Sequence, residues 1–349
     1  MDYRNNIKET NNLLNLDECR KNIQKKFLGK GGQGNVFKLE SKTCGSVVLK
    51  TYHKNTNKDE IFKEVNVLDK AKQIIDNDIC PNFLYYYDFF QINDTFNIIT
   101  EYADGDLEAW VKEQHSDKEW KNMLFQFIVG VHVVQKYFKG FHSDLKPKNI
   151  FFKRINKKEN EYFEFQINND KYYLENNGYL FLLADYGHFQ STLFEKNNIS
   201  DNDIESAIRE NQDFDYLRDF AKRIQVTNLI KTYDINKLKE KFRDNDFMTY
   251  LKLESDKIHK ELRGYPETVI NKYLNRNLLY YCLEHKLIDY KKENIQENDQ
   301  KSPSDKITEF LELVLDQKGD IEDILDKHFK EYQTIKNNII KIFNLNKKL

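Results

Sequence analysis

The sequence predicts an α+β fold in two lobes, a small β-rich N-lobe followed by a larger α-rich C-lobe. Three observations predict it. Short β-prone runs punctuated by glycine occupy residues 26–52. A helical pattern and two more β-prone runs follow before Gly105. Beyond Gly105 helical periodicity dominates, interrupted by one β-prone pair, NIFFK and YLFLLADY.

The elements follow in order. Residues 1–20 are polar and read as a tail, with the N-lobe at 21–104 and the C-lobe at 105–349. FLGKGG, GNVFKLE and GSVVLKTY read as three antiparallel strands with tight connections. From Lys58 to Ile75, apolar Ile61, Val65 and Leu68 recur at i, i+4 and i+7, one face of a helix. FLYYYDFF and DTFNIITEY add two strands, giving a five-stranded sheet with one helix, and Glu101–Gly105 reads as a connector. Trp120 to Phe138 has enough apolar positions for a buried helix. Between NIFFK and YLFLLADY lies an insert at about 153–177, polar and charged but containing Tyr162, Phe163, Phe165, Tyr172 and Tyr173. Those aromatics predict an extra hairpin or a partner-docking surface. Long insertions cost little closure entropy, so a short turn is expected to replace this one without harm to function. From Asp213 onward helical patterns dominate.

Composition narrows the function classes. A length of 349 residues suits one large domain or two lobes around a cleft. Apolar residues at 39% suffice for a sizeable core, and charged residues at 32% for a soluble surface. The formal net charge of -2 directs the chain neither to nucleic acid nor to an anionic membrane. Cys19, Cys44, Cys80 and Cys282 form no CxxC pair, which argues against a zinc knuckle and fits a reducing compartment. No apolar stretch opens the chain as a secretory signal would, and apolar runs such as Phe127 to Val131 are too short to span a bilayer. A cytoplasmic protein without a membrane span is expected. Plentiful Asn, Lys, Ile, Tyr and Phe indicate AT-rich coding, from a protist, a bacterium or a large DNA virus; for a virus the compartment is the host cytoplasm.

Four motifs carry chemistry. Gly29-Lys30-Gly31-Gly32-Gln33-Gly34-Asn35-Val36 fits G-x-G-x-x-G-x-V, whose glycines let backbone N–H groups approach phosphate oxygens. It joins two strands, whereas the dinucleotide-binding version needs a helix directly after the glycines. Val47-Val48-Leu49-Lys50 ends a β-prone run in lysine. Glu64 falls on the apolar stripe of the following helix, where a carboxylate needs a partner; Lys50 is that partner, with Glu60, one turn earlier, as the alternative carboxylate. His142-Ser143-Asp144-Leu145-Lys146-Pro147-Lys148-Asn149-Ile150 is the densest signal. In it Asp144 can accept or orient a hydroxyl proton, Lys146 can neutralise a migrating phosphoryl group, and the Asn149 oxygen suits Mg²⁺. Asp185-Tyr186-Gly187 follows an apolar run and reads as a metal-binding aspartate, an inward aromatic and a turn glycine.

In this order the motifs resemble those of the eukaryotic-type protein kinase superfamily, from about Phe27 to Phe220. The resemblance implies a protein-kinase-like fold and ATP with Mg²⁺ as cofactors. It makes Gly29, Gly31 and Gly34 the phosphate loop, Lys50 and Glu64 an ion pair, Asp144 the catalytic base with Lys146 beside it, and Asn149 and Asp185 the metal ligands. Thr100 corresponds to the gatekeeper, and Glu101 to Ala103 to the hinge that reads adenine. Asp106 corresponds to a ribose contact, and Val36 and Phe151 to the residues sandwiching the ring. Leu68, His142 and Tyr186 correspond to the hydrophobic spine, and Asp215, with Asp213 as the alternative, to the anchor of the catalytic-loop backbone. Lys146 two residues after the base favours Ser/Thr targets, hence a serine/threonine protein kinase acting on a protein hydroxyl.

The departures shape the alternatives. Ser143 stands where arginine usually precedes the base, Tyr186 replaces phenylalanine, Val48 replaces alanine, and no Ala-Pro-Glu occurs between Gly187 and Asn211. The missing Ala-Pro-Glu favours a small-molecule kinase, which the full glycine loop and Leu145-Lys146-Pro147 disfavour. A pseudokinase scaffold is disfavoured because lysine, base and metal aspartate are all kept. With serine at 143 there is no cation for an activation-segment phosphate to neutralise. Activity is therefore expected without phosphorylation of Ser191, Thr192, Ser200 or Ser206.

Overall fold

A computed structural model describes residues 24–41, 45–193, 200–230, 233–243, 245–285, 287–288 and 305–349. The expected tail at 1–20 lies outside the described residues.

Strands β1 (Gln24–Lys30), β2 (Gly34–Ser41) and β3 (Gly45–Tyr52) form an antiparallel meander. Gly34 is required by close approach: a Cβ there would lie 2.4 Å from the Thr51 carbonyl oxygen. Helix α1 (Lys58–Asp76) is capped by the Asn57 side chain and buries Ile61, Glu64, Val67, Leu68, Ala71, Ile74 and Ile75. Strands β4 (Tyr86–Ile92) and β5 (Thr95–Glu101) complete a five-stranded sheet in the order β1-β2-β3-β5-β4. Their turn, Asn93-Asp94, has positive φ at both residues, which matches the twist of the flanking strands. The expected sheet and helix are therefore present.

Strand β6 (Gly105–Asp106) and the short α2 (Leu107–Trp110) lead to α3 (Asp117–Phe138), a helix buried along most of its length. Strand β7 (Gly140–Phe141) precedes the Asp144 loop. NIFFK and YLFLLADY become β8 (Ile150–Arg154) and β11 (Tyr179–Leu183), paired antiparallel as expected. The insert contains the expected hairpin, β9 (Tyr162–Ile167) with β10 (Asp170–Glu175). Beyond it come β12 (Gln190–Ser191) and α4 (Asp201–Arg209), then α5 (Asp215–Leu229), α6 (Ile235–Lys241), α7 (Asn245–Glu261), α8 (Glu267–Glu284), α9 (Asp305–Leu315) and α10 (Ile321–His328). The chain is thus mixed α+β, strand-rich first and helical later. One strand, β13 (Ile339–Asn344), interrupts the helix-dominated C-terminal part.

Strand β13 changes the reading of the insert. It pairs parallel with β9, so the hairpin is part of a three-stranded sheet, β10-β9-β13. Phe165, Tyr172 and Leu174 are buried, and the rings of Phe165 and Tyr172 lie 5.4 and 5.7 Å from that of Phe125 on α3. Of the aromatics expected to mark a hairpin or a docking surface, Phe165, Tyr172 and Tyr173 are buried, while Tyr162 and Phe163 are half-buried. Replacement by a short turn would take Phe165 and Tyr172 away from Phe125 and the β9 ladder away from β13.

The chain also gathers into two compact units. One compact unit gathers Lys118–Tyr216 and Gln317–Leu349 with the N-terminal sheet and α1; the other comprises Glu113–Asp117 and Leu217–Asp316. In the first unit, hydrogen bonds stitch the connector to the strands after it: Asp104 N–H donates to the Phe152 carbonyl at 2.9 Å, and Lys153 Nζ to Glu101 Oε2 at 3.0 Å. The second unit has its own core, including Val226, Leu229, Leu238, Phe247, Leu274, Leu278 and Cys282.

Truncation after Asn338 removes buried Phe343 and Leu345 and exposes the β9 edge. It is expected to cost about 3 kcal/mol or more of stability, read as a lower urea midpoint. An unchanged midpoint would contradict the structural role given to β13.

Candidate active site

Strand register assembles one wall. Val36 pairs with Lys50, and Val48 with Thr100, so Val36, Val48, Lys50 and Thr100 share one face of the sheet. Lys50 Nζ donates to both Glu64 oxygens, at 2.7 and 2.8 Å, and lies 3.7 Å from Asp185 Oδ1. Burial alone would pull the Lys50 ammonium down, but the Glu64 and Asp185 carboxylates outweigh it and hold it above the usual lysine range. Glu60 is not the partner; it accepts a hydrogen bond from Gln33 Nε2 at 3.3 Å. Glu64 has a second donor that the sequence reading did not find. Tyr52 Oη donates to Glu64 Oε2 at 2.6 Å. Its only sequence signal is its place two residues after Lys50, on the same face of β3.

The glycine loop is the β1–β2 turn. Gly31 N–H donates to the Gly34 carbonyl at 2.8 Å, and Gly29 lies on β1 opposite Val36. Its tip reaches the Asp-Tyr-Gly turn, where a Cβ on Gly187 would stand 3.1 Å from Gln33 Oε1. The hinge side is equally ordered. Thr100 and Glu101 are buried on β5, and Ala103 is half-buried in the connector. Glu101 also acts through its side chain, accepting from Tyr85 N–H at 2.8 Å and from Lys153. Asp106 Oδ1 accepts from Ala109 N–H at 2.8 Å and so caps α2, which engages one oxygen of the residue assigned to ribose. Phe151 is half-buried on β8, opposite Asp106 and Leu182.

In the catalytic loop, Asp144 Oδ2 accepts from Lys146 Nζ at 2.7 Å and from Asn149 Nδ2 at 3.0 Å. Its hydrogen bond to Asp144 holds the Lys146 ammonium above its ordinary range. With Asn149 Nδ2 committed to Asp144, Oδ1 is the atom left to face a cation. Asp185 is exposed and left-handed, φ 63 and ψ 72, a conformation aspartate tolerates better than most residues. It leads into Tyr186, fully buried, whose hydroxyl donates to the Leu183 carbonyl at 2.7 Å. That bond explains why tyrosine is accepted here: the buried hydroxyl has an acceptor. The rings of His142 and Tyr186 lie 5.1 Å apart, and α1, with buried Leu68, packs on the turn at Tyr186–His188.

The loop is anchored by Asp213, not Asp215. His142 N–H donates to both Asp213 oxygens at 2.9 Å and Ser143 N–H to Oδ1 at 3.0 Å, whereas Asp215 is exposed at the start of α5. The sequence offered both; burial at the end of a short turn selects the first. Burial pushes Asp213 up to about 6 against those two donors, and pushes His142 down to about 4. Neutral His142 then donates Nε2–H to the Ala184 carbonyl at 2.9 Å. Ser143, at φ 63, donates its hydroxyl to the His188 carbonyl. Four sequence motifs thus meet within one unit: glycine loop, Lys50–Glu64 pair, Asp144 loop and Asp185 turn.

The same stretch of chain matches a known family. Residues 23–188 match the protein kinase domain. This region is a protein kinase domain. The chain is 30% identical over 138 residues to "Probable serine/threonine-protein kinase 380R" of Invertebrate iridescent virus 6, covering 34% of this chain and 25% of that protein. It is 27% identical over 143 residues to "Calcium-dependent protein kinase 4" of Plasmodium falciparum, 38% of this chain and 26% of that protein. It is 27% identical over 139 residues to "Probable serine/threonine-protein kinase zyg-1" of Caenorhabditis elegans, 38% of this chain and 18% of that protein. The chain therefore spans about a quarter or less of the length of these relatives. The matched kinase region ends at His188, ahead of the stretch that lacks Ala-Pro-Glu. Among the described residues no helix is long and apolar enough to cross a membrane.

The buried titratable groups His132, His142 and Asp213 give a pH prediction. His142 and His132, both depressed by burial to about 4 from 6.5, leave the unfolded chain binding more protons between those values. Their contribution to stability is present above pH 6.5 and is lost as pH falls toward 4. Asp213 acts in reverse: raised from 3.8 to about 6, it favours the fold as pH falls through 6. Asp213→Asn removes that offset. Its urea midpoint is expected to fall more steeply than that of wild type between pH 6.5 and 4; parallel curves would contradict the burial of Asp213.

Proposed function

We propose that the kinase domain transfers the γ-phosphoryl group of Mg-ATP to a serine or threonine hydroxyl of a protein. The observation that carries this reading is Asp144, held between Lys146 and Asn149, in the same unit as the closed Lys50–Glu64 pair. Phosphoryl transfer asks a protein mainly for positioning and charge neutralisation, and both are supported by these contacts.

The donor set fits the cofactor. Among the described residues no group of three or more His, Cys, Asp or Glu could hold a metal alone. Asp185 and the Asn149 Oδ1 are hard oxygen donors, which suits Mg²⁺, an ion that usually takes one or two protein ligands and completes its shell with phosphate and water. The bound nucleotide would supply the phosphoryl group and the leaving diphosphate. Lys50 would meet its phosphates, the glycine-loop N–H groups would approach their oxygens, and the face bearing Val36, Val48 and Thr100, with Phe151, Glu101 and Ala103, would receive adenine. Asp106 keeps one carboxylate oxygen for ribose. Asp144 would take the proton of the attacking hydroxyl while Lys146 offsets the charge on the transferred group. The Ser/Thr assignment rests on Lys146 and on the printed names of the relatives.

Two outcomes are expected from radiolabelled ATP transfer. Lys50→Met and Asp185→Ala each lower turnover at least about a hundredfold, the scale of losing about 3 kcal/mol of transition-state stabilisation, with circular dichroism unchanged. Near wild-type turnover in either would sink the site assignment. Transfer to metabolites but not to generic proteins would favour a small-molecule kinase, and ATP binding without transfer a pseudokinase.

Activity is also expected to survive phosphatase treatment. The segment 194–199 lies outside the described residues, but its flanks are engaged. Ser191 is fully buried and donates to the Phe138 carbonyl, Ser200 caps α4, and Ser143 supplies a hydroxyl, not a cation, to the turn after Asp185. Turnover that collapses on dephosphorylation and returns with rephosphorylation would refute this.

A further inference from the structure

Glu64 is 4% exposed and sits on a helix stripe that is otherwise apolar. A carboxylate in that position keeps its place only while its oxygens are satisfied. Lys50 reaches both oxygens, but Lys50 is also the residue that must meet nucleotide phosphates, and Asp185 already competes for it at 3.7 Å. Tyr52 has no such second duty. Its hydroxyl is 2.6 Å from Glu64 Oε2, its side chain is 2% exposed, and burial together with the Glu64 charge keeps the phenol protonated as a donor. Its ring also lies under Lys50, with Nζ 4.9 Å from the centroid. Its backbone pairs with Gly34, the last glycine of the loop, close enough that a Cβ on Gly34 would lie 3.0 Å from Tyr52 Cα.

We propose that Tyr52 is a positioning residue that holds α1, through Glu64, against the sheet independently of Lys50. Lys50 is then free to turn toward phosphate without releasing the helix. The inference rests on the reading of Lys50 and Glu64 as the nucleotide-positioning pair, and it adds a third member on the strand that also backs the phosphate loop. The hydroxyl, not the ring, is the active part.

The test uses the full chain and Tyr52→Phe, which keeps the ring and its packing and removes only the donor. Hydrogen exchange over Lys58–Asp76 is the first readout, since it needs no catalytic activity. Exchange there is expected to rise about tenfold in Tyr52→Phe while that of α3 stays at wild-type rates. Equal rates across α1 in the two proteins overturn the proposal, as does a rise spread evenly over α3. The second readout is a kinetic cycle. Tyr52→Phe is expected to lower kcat about tenfold with a smaller change in the KM for ATP, and to cost nothing further in a Glu64→Ala background. Full additivity with Glu64→Ala overturns it. If wild type transfers no phosphate the functional reading fails, and the exchange experiment still decides the role of Tyr52.

Discussion

The burial of one carboxylate constrains much of this molecule. Glu64 lies on the face of α1 that packs into the interior, so α1 can stay there only where donors await it. Strand β3 supplies both, two residues apart and on one side of the sheet, Lys50 and Tyr52. The register of β3 between β2 and β5 fixes where those donors stand. Slipping β3 by one residue would turn both to the other face. The same register lines Val36, Val48 and Thr100 beside Lys50, so the ion pair and the wall proposed to receive adenine are consequences of one pairing.

A second buried carboxylate does comparable work for the catalytic loop. Asp213 takes the N–H groups of His142 and Ser143, leaving Asp144 directly after an anchored pair of residues. Asp144 is then fixed on its far side by Lys146 and Asn149. Between the two anchors the interior carries further polar order. Asn82 donates to the Phe181 carbonyl and to Gln126, and Gln126 accepts from Phe181 N–H, which ties the segment after α1 to β11 and α3. The bonds among Asn82, Gln126 and Phe181 join groups distant in sequence. They therefore specify one arrangement of strand against helix, and a shifted one would strand several polar groups at once.

The C-terminal strand extends the same logic to the outside of the unit. Besides pairing with β9, the segment around β13 reaches the turn that ends α1. Asn344 N–H donates to the Asp78 carbonyl, Lys347 Nζ to the Asn77 carbonyl, and Lys341 pairs with Asp78 at 2.9 Å. Tyr137 on α3 donates to the Leu345 and Lys347 carbonyls at 2.7 Å. The insert hairpin, the end of α1 and α3 are thus joined by residues that come last in the chain.

The sequence by itself determined the strand-and-helix order of the N-terminal region and the pairing of β8 with β11, and it nominated the residues of the proposed site. Short-range pattern carries those: glycine at a close approach, period-two strands, a charged residue on an apolar helix stripe, and a loop whose aspartate, lysine and asparagine sit within six positions. The tertiary structure alone decided between Glu60 and Glu64 and between Asp213 and Asp215, because each choice turns on which carboxylate is buried against a donor from a remote segment. It alone brought in Tyr52, whose hydroxyl has no periodic signature. It alone paired β13 with the insert hairpin, since a hairpin and a strand separated by more than 160 residues show no local sign that they pair. Contacts between distant segments are settled by which surfaces can exclude water together, and no local window of sequence contains that information.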